Sequence, residues 1–329
     1  MKAAFIVAPR KFEIREVPMP KITEDEMLVK IEACGVCSSD MPGYLDTGAM
    51  HMPFPRRAGH EPAGTVVEVG KNVMGFQTGD RITGWFPADC YAEYAACNPT
   101  VYSVGRGHPA VVAKIPEGIP FEYALGEPMM SLVSIARTAN PEMGDTVFQV
   151  GCGFMGLGVI AGVAHPKLRE YIVADLDDNR LSLARELGAT IMLNPGRVDV
   201  AAEVMKITGG RGVDVAIEVV GHPPGIKMVG DVIKRNRGKI IMVGWHQSPD
   251  VYELFSWIKC PIIYNPQGIG LSTDYQSELT RALWAIQKGI FPMSKLVTHR
   301  YRLQEIGQAF EDNLKRTAGY IKGVVMPWM

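Results

Sequence analysis

The chain is 329 residues long, with 47% apolar and 21% charged residues and a net charge of −1. That length accommodates two domains of ordinary size, and the balanced, scattered charge excludes a nucleic-acid stripe or a basic membrane face. No run approaches the ~20 apolar residues of a membrane span, and the six cysteines form no disulfide framework, so a reduced, cytoplasmic protein is expected.

The start, MKAAFIVAPRKFEIREVP, has a short apolar run broken by Pro9 and Arg10 and predicts a strand, not a signal peptide. Over residues 1–105 the β-type runs AAFIVA, FEIREV, MLVKIEACGV, GTVVEVG, DRITGW and YAEYAAC alternate with Pro and Gly punctuation. This predicts an antiparallel, barrel-like β domain. From about 129 the rhythm changes. TVFQVGCG, EYIVADL, VDVAIEVVG and KIIMVGW read as strands; FMGLGVIAGVAH, NRLSLARELGA, VAAEVMKITGG and IKMVGDVIKRNRG read as helices. Alternation at that spacing means a parallel, doubly wound α/β sheet. The tail predicts two helices, SELTRALWAIQKGI and LQEIGQAFEDNLKRT, and a final strand, YIKGVVMP. There is no internal repeat and no low-complexity segment.

TVFQVGCGFMGLG contains Gly151-x-Gly153-x-x-Gly156 between a strand and a helix. The first glycine serves the tight turn, the second the approach of a pyrophosphate, the third the packing of helix on strand. Asp175 ends the next strand, 19 residues after Gly156, where a carboxylate accepts hydrogen bonds from ribose hydroxyls and repels a 2′-phosphate. NAD is therefore expected over NADP; an acidic turn residue, as Asp177 or Asp178, or a site for another adenosine ligand are the alternatives.

The β-rich part holds ligand-type residues. GHEPAGTVVEVG places His60 and Glu61 just ahead of a strand. EACGVCSSD holds Cys34 and Cys37; no second pair follows at zinc-ribbon spacing and no thioredoxin-like helix follows, so Cys34 reads as a small buried residue. ALGEPMMSLVSIA puts Glu127 before Pro128, at the join of the two halves. Cys37, His60, Glu61 and Glu127 make up a thiolate, an imidazole and two carboxylates, a mix suited to a catalytic zinc with an open position. Taken singly, such residues are more often surface or cap residues.

GVCSSD, AGHEPAGTVVEVG, DRIT, YAEYA, EP and VGCGFMGLG, in that order, resemble the zinc-dependent medium-chain dehydrogenases, which include alcohol, sorbitol and threonine dehydrogenases. The resemblance covers essentially the whole chain. It implies a GroES-like β-barrel catalytic domain from 1–128 and 267–329, with a Rossmann NAD-binding domain over 129–266. It implies that Cys37 and His60 hold one catalytic zinc and that Glu127 stands at the position of a further ligand. Glu61 then binds the metal directly, transiently, or from behind the ligands. Implied cofactor contacts are Gly151, Gly153, Phe154, Met155, Gly156, Asp175, Arg180, Val220, Gly244, Trp245, His246 and Asn265.

The departures are informative. The four-cysteine lobe that holds a structural zinc in some relatives is absent, since WFPADCYAEYAAC runs straight through with only Cys90 and Cys97, so one metal per chain is expected. Position 42 is Pro where alcohol dehydrogenases end a proton relay in His, and Ser38 stands where a basic residue is frequent. The proton is expected to leave through Ser39, although a Ser there also suits a plain turn. The expected reaction is hydride transfer between a secondary alcohol and NAD. His246, Gln247, Asn265 and Gln267, with Tyr44 and Asp46 as weaker candidates, favour a polyol, sugar or cyclitol over ethanol. The other histidines, His51, His108, His165, His222 and His299, read as ordinary. CPIIYNP reads as an edge strand that would pair in a homodimer or homotetramer. Rival readings are a zinc-free reductase, a non-catalytic nucleotide-binding relative, and an adenosine-ligand methyltransferase.

Overall fold

The computed structural model describes residues 1–47, 53–85, 89–99, 111–245, 259–266 and 275–329. Contacts divide the chain into two compact units, Met1–Met130 with Asp274–Met329, and Ser131–Thr273.

In the first unit, β1 (Lys2–Ala8) and β2 (Lys11–Glu16) form an antiparallel hairpin. A larger sheet has β3 (Met27–Gly35) at its centre, beside β4 (Pro62–Val69), β6 (Tyr94–Cys97) and β15 (Lys322–Met326). β5 (Arg81–Trp85), β7 (Val111–Lys114) and β14 (Val297–Arg302) complete it. In β3, Met27, Val29, Ile31 and Ala33 are fully buried, while Lys30 and Glu32 are only partly covered. Val29, Ile31, Val66, Ile82, Tyr44 and Phe310 belong to one apolar core. The α1 turn (Met41–Leu45) follows β3, and α2 (Gly126–Ala139) begins just before Glu127.

Register positions the site. Cys34 of β3 pairs with Pro62 of β4, so the chain leaving β3 toward Cys37 meets the chain entering β4 from His60 and Glu61. On its other side, Gly35 of β3 pairs with Val324 of β15, which brings Lys322 to the same end of the sheet.

In the second unit, β8 (Thr146–Val150), β9 (Glu170–Ala174), β10 (Ile191–Leu193), β11 (Val215–Glu218), β12 (Lys239–Met242) and β13 (Ile262–Tyr264) form a wholly parallel sheet. The order is β10-β9-β8-β11-β12-β13, the dinucleotide-binding order in which ligands sit at the carboxyl ends of the strands. Its helices are α3 (Phe154–Val163), α4 (Asp178–Glu186), α5 (Val200–Ile207) and α6 (Pro223–Val232).

Two expectations need correction. The helix read over IKMVGDVIKRNRG stops at Val232, because Ile233 turns to extended backbone and bridges to Val213; Asn236 and Arg237, with left-handed φ values of 58° and 61°, then make the turn to β12. The tail, read as two helices and one strand, holds α7 (Tyr275–Gln287), α8 (Met293–Leu296), β14 and α9 (Ile306–Lys315) before β15. β14 lies parallel to β15 in an otherwise antiparallel sheet.

Asp214 ties the strand starts of the second unit together. It accepts from Thr146 N at 2.9 Å, Arg211 at 2.7 Å and Lys234 at 2.7 Å, with 7% of its side chain exposed. Burial alone would raise its carboxyl, but these donors outweigh it and hold the group far below the usual carboxylate range. A depressed folded value means stability that is present above the unfolded pKa and lost as pH falls through the folded one. Asp214→Asn is therefore expected to cost about 2–4 kcal/mol at pH 7 and to flatten the acid limb below about pH 4, read by urea unfolding across pH.

Candidate active site

At the end of β3, Cys37, His60 and Glu61 place one ligand atom each within 4.8 Å of one another, the only such group of three or more among the described residues. Ser39 Oγ donates to Cys37 Sγ at 3.1 Å and lies 3.2 Å from His60 Nε2. His60 Nδ1 lies 3.2 Å from Asp40 Oδ1, and Tyr91 OH donates to Asp40 Oδ2 at 2.9 Å. A carboxylate on Nδ1–H fixes the tautomer in which Nε2 offers its lone pair.

Glu61 is 1% exposed and does not stand alone: Lys322 Nζ donates to its Oε1 at 2.8 Å and lies 2.5 Å from Oε2, with 6% of the lysine side chain exposed. Room for this pair depends on Gly35, where a Cβ would sit 1.9 Å from Glu61 Oε2. Burial would discharge Lys322, but Glu61 and Cys37 outweigh it and keep the ammonium above its usual value. Burial also opposes charge on His60, yet Asp40 and Cys37 hold it well above its ordinary value. Burial, with Glu61, pushes the Cys37 thiol up.

Glu127 is not one of the three. It stands in the first turn of α2, and burial pushes its carboxyl up to about 7, with Glu61 and Asp40 adding and His60 and Lys322 opposing. Cys34 is fully buried in the core and separate from the cluster. Cys90 and Cys97 are fully buried in the same core, the Cys90 thiol pushed up to about 12 by burial. Tyr44 and Asp46 serve the fold: Tyr44 is 1% exposed and donates to Arg10 O and Glu311, and Asp46 pairs with Arg56 at 3.2 Å.

In the second unit, the glycine turn opens α3 after β8. A Cβ on Gly156 would sit 2.1 Å from Gly151 O, so only glycine permits this approach of helix to strand end. Asp175 accepts from Cys152 N at 2.7 Å through one oxygen and from Asp177 N at 2.9 Å through the other. Both oxygens keep lone pairs for further donors. Asp177, not Asp175, caps α4, accepting from Asn179 N and Arg180 N. Arg180 Nε lies 3.7 Å from Asp177. Phe154 and Gly244 are buried, Met155 is partly covered, Asn265 is exposed, and Val220 and Trp245 are 41% and 39% exposed. His246, Gln247, Gln267, His51 and His108 lie outside the described residues.

Sequence reasoning missed Asp40, Tyr91 and Lys322. Asp40 sits inside GVCSSD, and its spacing of three from Cys37 was the available signal. A lysine between Ile321 and Gly323 at the head of an apolar strand was the signal for Lys322. Nothing local marks Tyr91.

The chain matches two family profiles: the alcohol dehydrogenase GroES-like domain over residues 23–125, and the zinc-binding dehydrogenase domain over residues 155–275. It is 32% identical to an L-threonine 3-dehydrogenase of Pyrococcus horikoshii, over 91% of each chain. It is 29% identical to a sorbitol dehydrogenase of Bacillus subtilis, over 99% of this chain and 97% of that one. Among solved structures it is similar to 2R,3R-butanediol dehydrogenase from Bacillus subtilis, with TM-score 0.82, 25% identity and 99% coverage of both chains.

Proposed function

The chain belongs to the zinc-dependent medium-chain dehydrogenases, and from that premise we propose that it oxidises the CH–OH group of a polyol, sugar or cyclitol to a ketone with NAD, and reduces the ketone in reverse. The observation that carries this reading is the half-buried thiol and imidazole of Cys37 and His60 and the buried carboxylate of Glu61, within 4.8 Å of one another. That donor set is the one zinc favours.

Cys37 and His60 would hold the zinc, with Glu61 or Glu127 completing the set. Zinc bound there would supply a Lewis acid that eases loss of the alcohol proton, and NAD would supply the hydride acceptor. The protein's own groups do the rest. Asp40 keeps His60 in the metal-binding tautomer. Lys322 balances the charge of Glu61, both side chains being nearly inaccessible. Ser39 Oγ, which donates to Cys37 Sγ and lies 3.2 Å from His60 Nε2, would be the first group to receive the substrate proton, and Pro42 stands at the position where some relatives end their relay in His.

NAD use is supported by Asp175, whose carboxylate is aimed by two backbone N–H groups. Leu176, next to Asp175 in the chain and 73% exposed, and Val220, beside the Gly151 turn and 41% exposed, offer apolar surface for an adenine ring. Asp175→Ser is expected to raise KM for NAD about tenfold while admitting NADP, measured by steady-state kinetics with both cofactors. NADP remaining unused would contradict the role given to Asp175.

The names of the sorbitol and butanediol dehydrogenases support a polyhydroxy substrate, and the name of the Pyrococcus relative supports a second reading, an amino alcohol of the threonine type. One screen separates them: NADH formation from polyols and cyclitols against L-threonine and simple alcohols. β13 lies at the sheet edge with Ile263 and Tyr264 exposed, which supports a homodimer or homotetramer formed through that edge. No described helix is long and apolar enough to cross a membrane.

A further inference from the structure

We propose that Gln149 is a positioning residue for the dinucleotide: its side-chain amide, beneath the glycine turn, sets the turn in the shape that receives the pyrophosphate. The proposal rests on the NAD reading. β8 is buried along its whole length, and a parallel strand of that kind is ordinarily filled with apolar side chains. Gln149 breaks that pattern at 0% exposure. A buried amide is costly unless it is fully bonded, and this one is bonded on both sides. Nε2 donates to Gly151 O at 2.9 Å and to Gly156 O at 3.0 Å, the carbonyls of the first and third glycines. Oε1 accepts from Tyr171 OH at 2.8 Å, on the neighbouring strand β9. The amide orientation follows from the partners, because a flipped amide would set its oxygen against two carbonyls.

The geometry explains why a polar residue is kept here. The two carbonyls lie on opposite sides of the turn, one leaving the strand and one inside the first turn of α3. A single NH₂ group gathers them, so the intervening Cys152, Gly153, Phe154 and Met155 are held in one loop conformation. Cys152 N donates to Asp175 within that same loop, so Gln149 also fixes the distance between the turn and the expected ribose-binding carboxylate. A preformed loop binds its ligand without first losing conformational freedom.

Gln149→Glu keeps the size and the acceptor for Tyr171 but removes both N–H donors; Gln149→Met keeps the length with neither. In each, fluorescence titration is expected to show NADH binding weakened by about ten- to a hundredfold, the scale of two neutral hydrogen bonds. Zinc content is expected to stay at the wild-type level, with KM for NAD rising far more than kcat falls. Tyr171→Phe, which removes only the bond that pins the amide oxygen, is expected to weaken NADH binding less than either. Unchanged NADH affinity in the folded variants would overturn the assignment and leave the NAD reading intact. Failure of both Gln149 variants to fold would also overturn it, by making the amide a requirement of the core and not of the turn. Failure of the wild type to bind NADH would overturn the cofactor reading and this assignment together.

Discussion

Replacing Cys37 with serine is expected to empty the metal site and lower kcat/KM by at least about a thousandfold, because a Lewis acid of this kind contributes several kcal/mol and each 1.4 kcal/mol is a factor of ten. A catalytic zinc depends on three protein ligands, and loss of the thiolate removes the softest of them. Cys34→Ala provides the contrast. Cys34 is three residues earlier in the same sequence, yet it packs among core side chains and takes no part in the cluster. Its loss is expected to cost about 1–2 kcal/mol of stability and to leave the zinc in place. Metal content and kinetics on both variants decide which cysteine is the ligand. Full activity in the serine variant, or zinc lost equally from both, would reject the assignment.

The second large effect is one of stability. Lys322→Met is expected to destabilise the protein by about 3–5 kcal/mol, because it leaves the carboxylate of Glu61 buried without its cation. Both members of this pair are nearly inaccessible, at 1% and 6% exposure of the side chains, so solvent screens the interaction little. Lys322→Met combined with Glu61→Gln removes the orphaned charge and is expected to recover much of the loss. Urea unfolding of the two variants and of the wild type reads the difference directly. A single-variant cost under about 1 kcal/mol would show that the pair is hydrated, as surface pairs are.

These two sites mark what the sequence made visible. Cys37, His60 and Glu61 stood out because their signals are local: two short motifs, each followed or preceded by a strand of clear alternation. The glycine turn and Asp175 stood out for the same reason, since turn, helix start and next strand end lie within one βαβ unit. Lys322 did not, because its partner is 261 residues away and no periodicity encodes a pairing across β3 and β15. Tyr91 was hidden likewise: its hydroxyl reaches Asp40 51 residues back in the chain, and YAEYA reads only as a strand. β14 was missed because VTHRYR buries only Val297 and Tyr301 and carries polar residues between them, a pattern that reads as a linker until β15 pairs beside it. Gln149 was visible in TVFQVGCG but looked like one polar residue in an apolar strand, because its meaning lies in the two carbonyls above it.

The most direct test is metal content by mass spectrometry on protein purified without added metal, followed by NADH formation from polyols before and after chelation. About one zinc per chain is expected, with activity lost on chelation and restored by zinc. Active protein without metal would contradict the zinc assignment, and about two per chain would contradict the single-site reading drawn from Cys90 and Cys97.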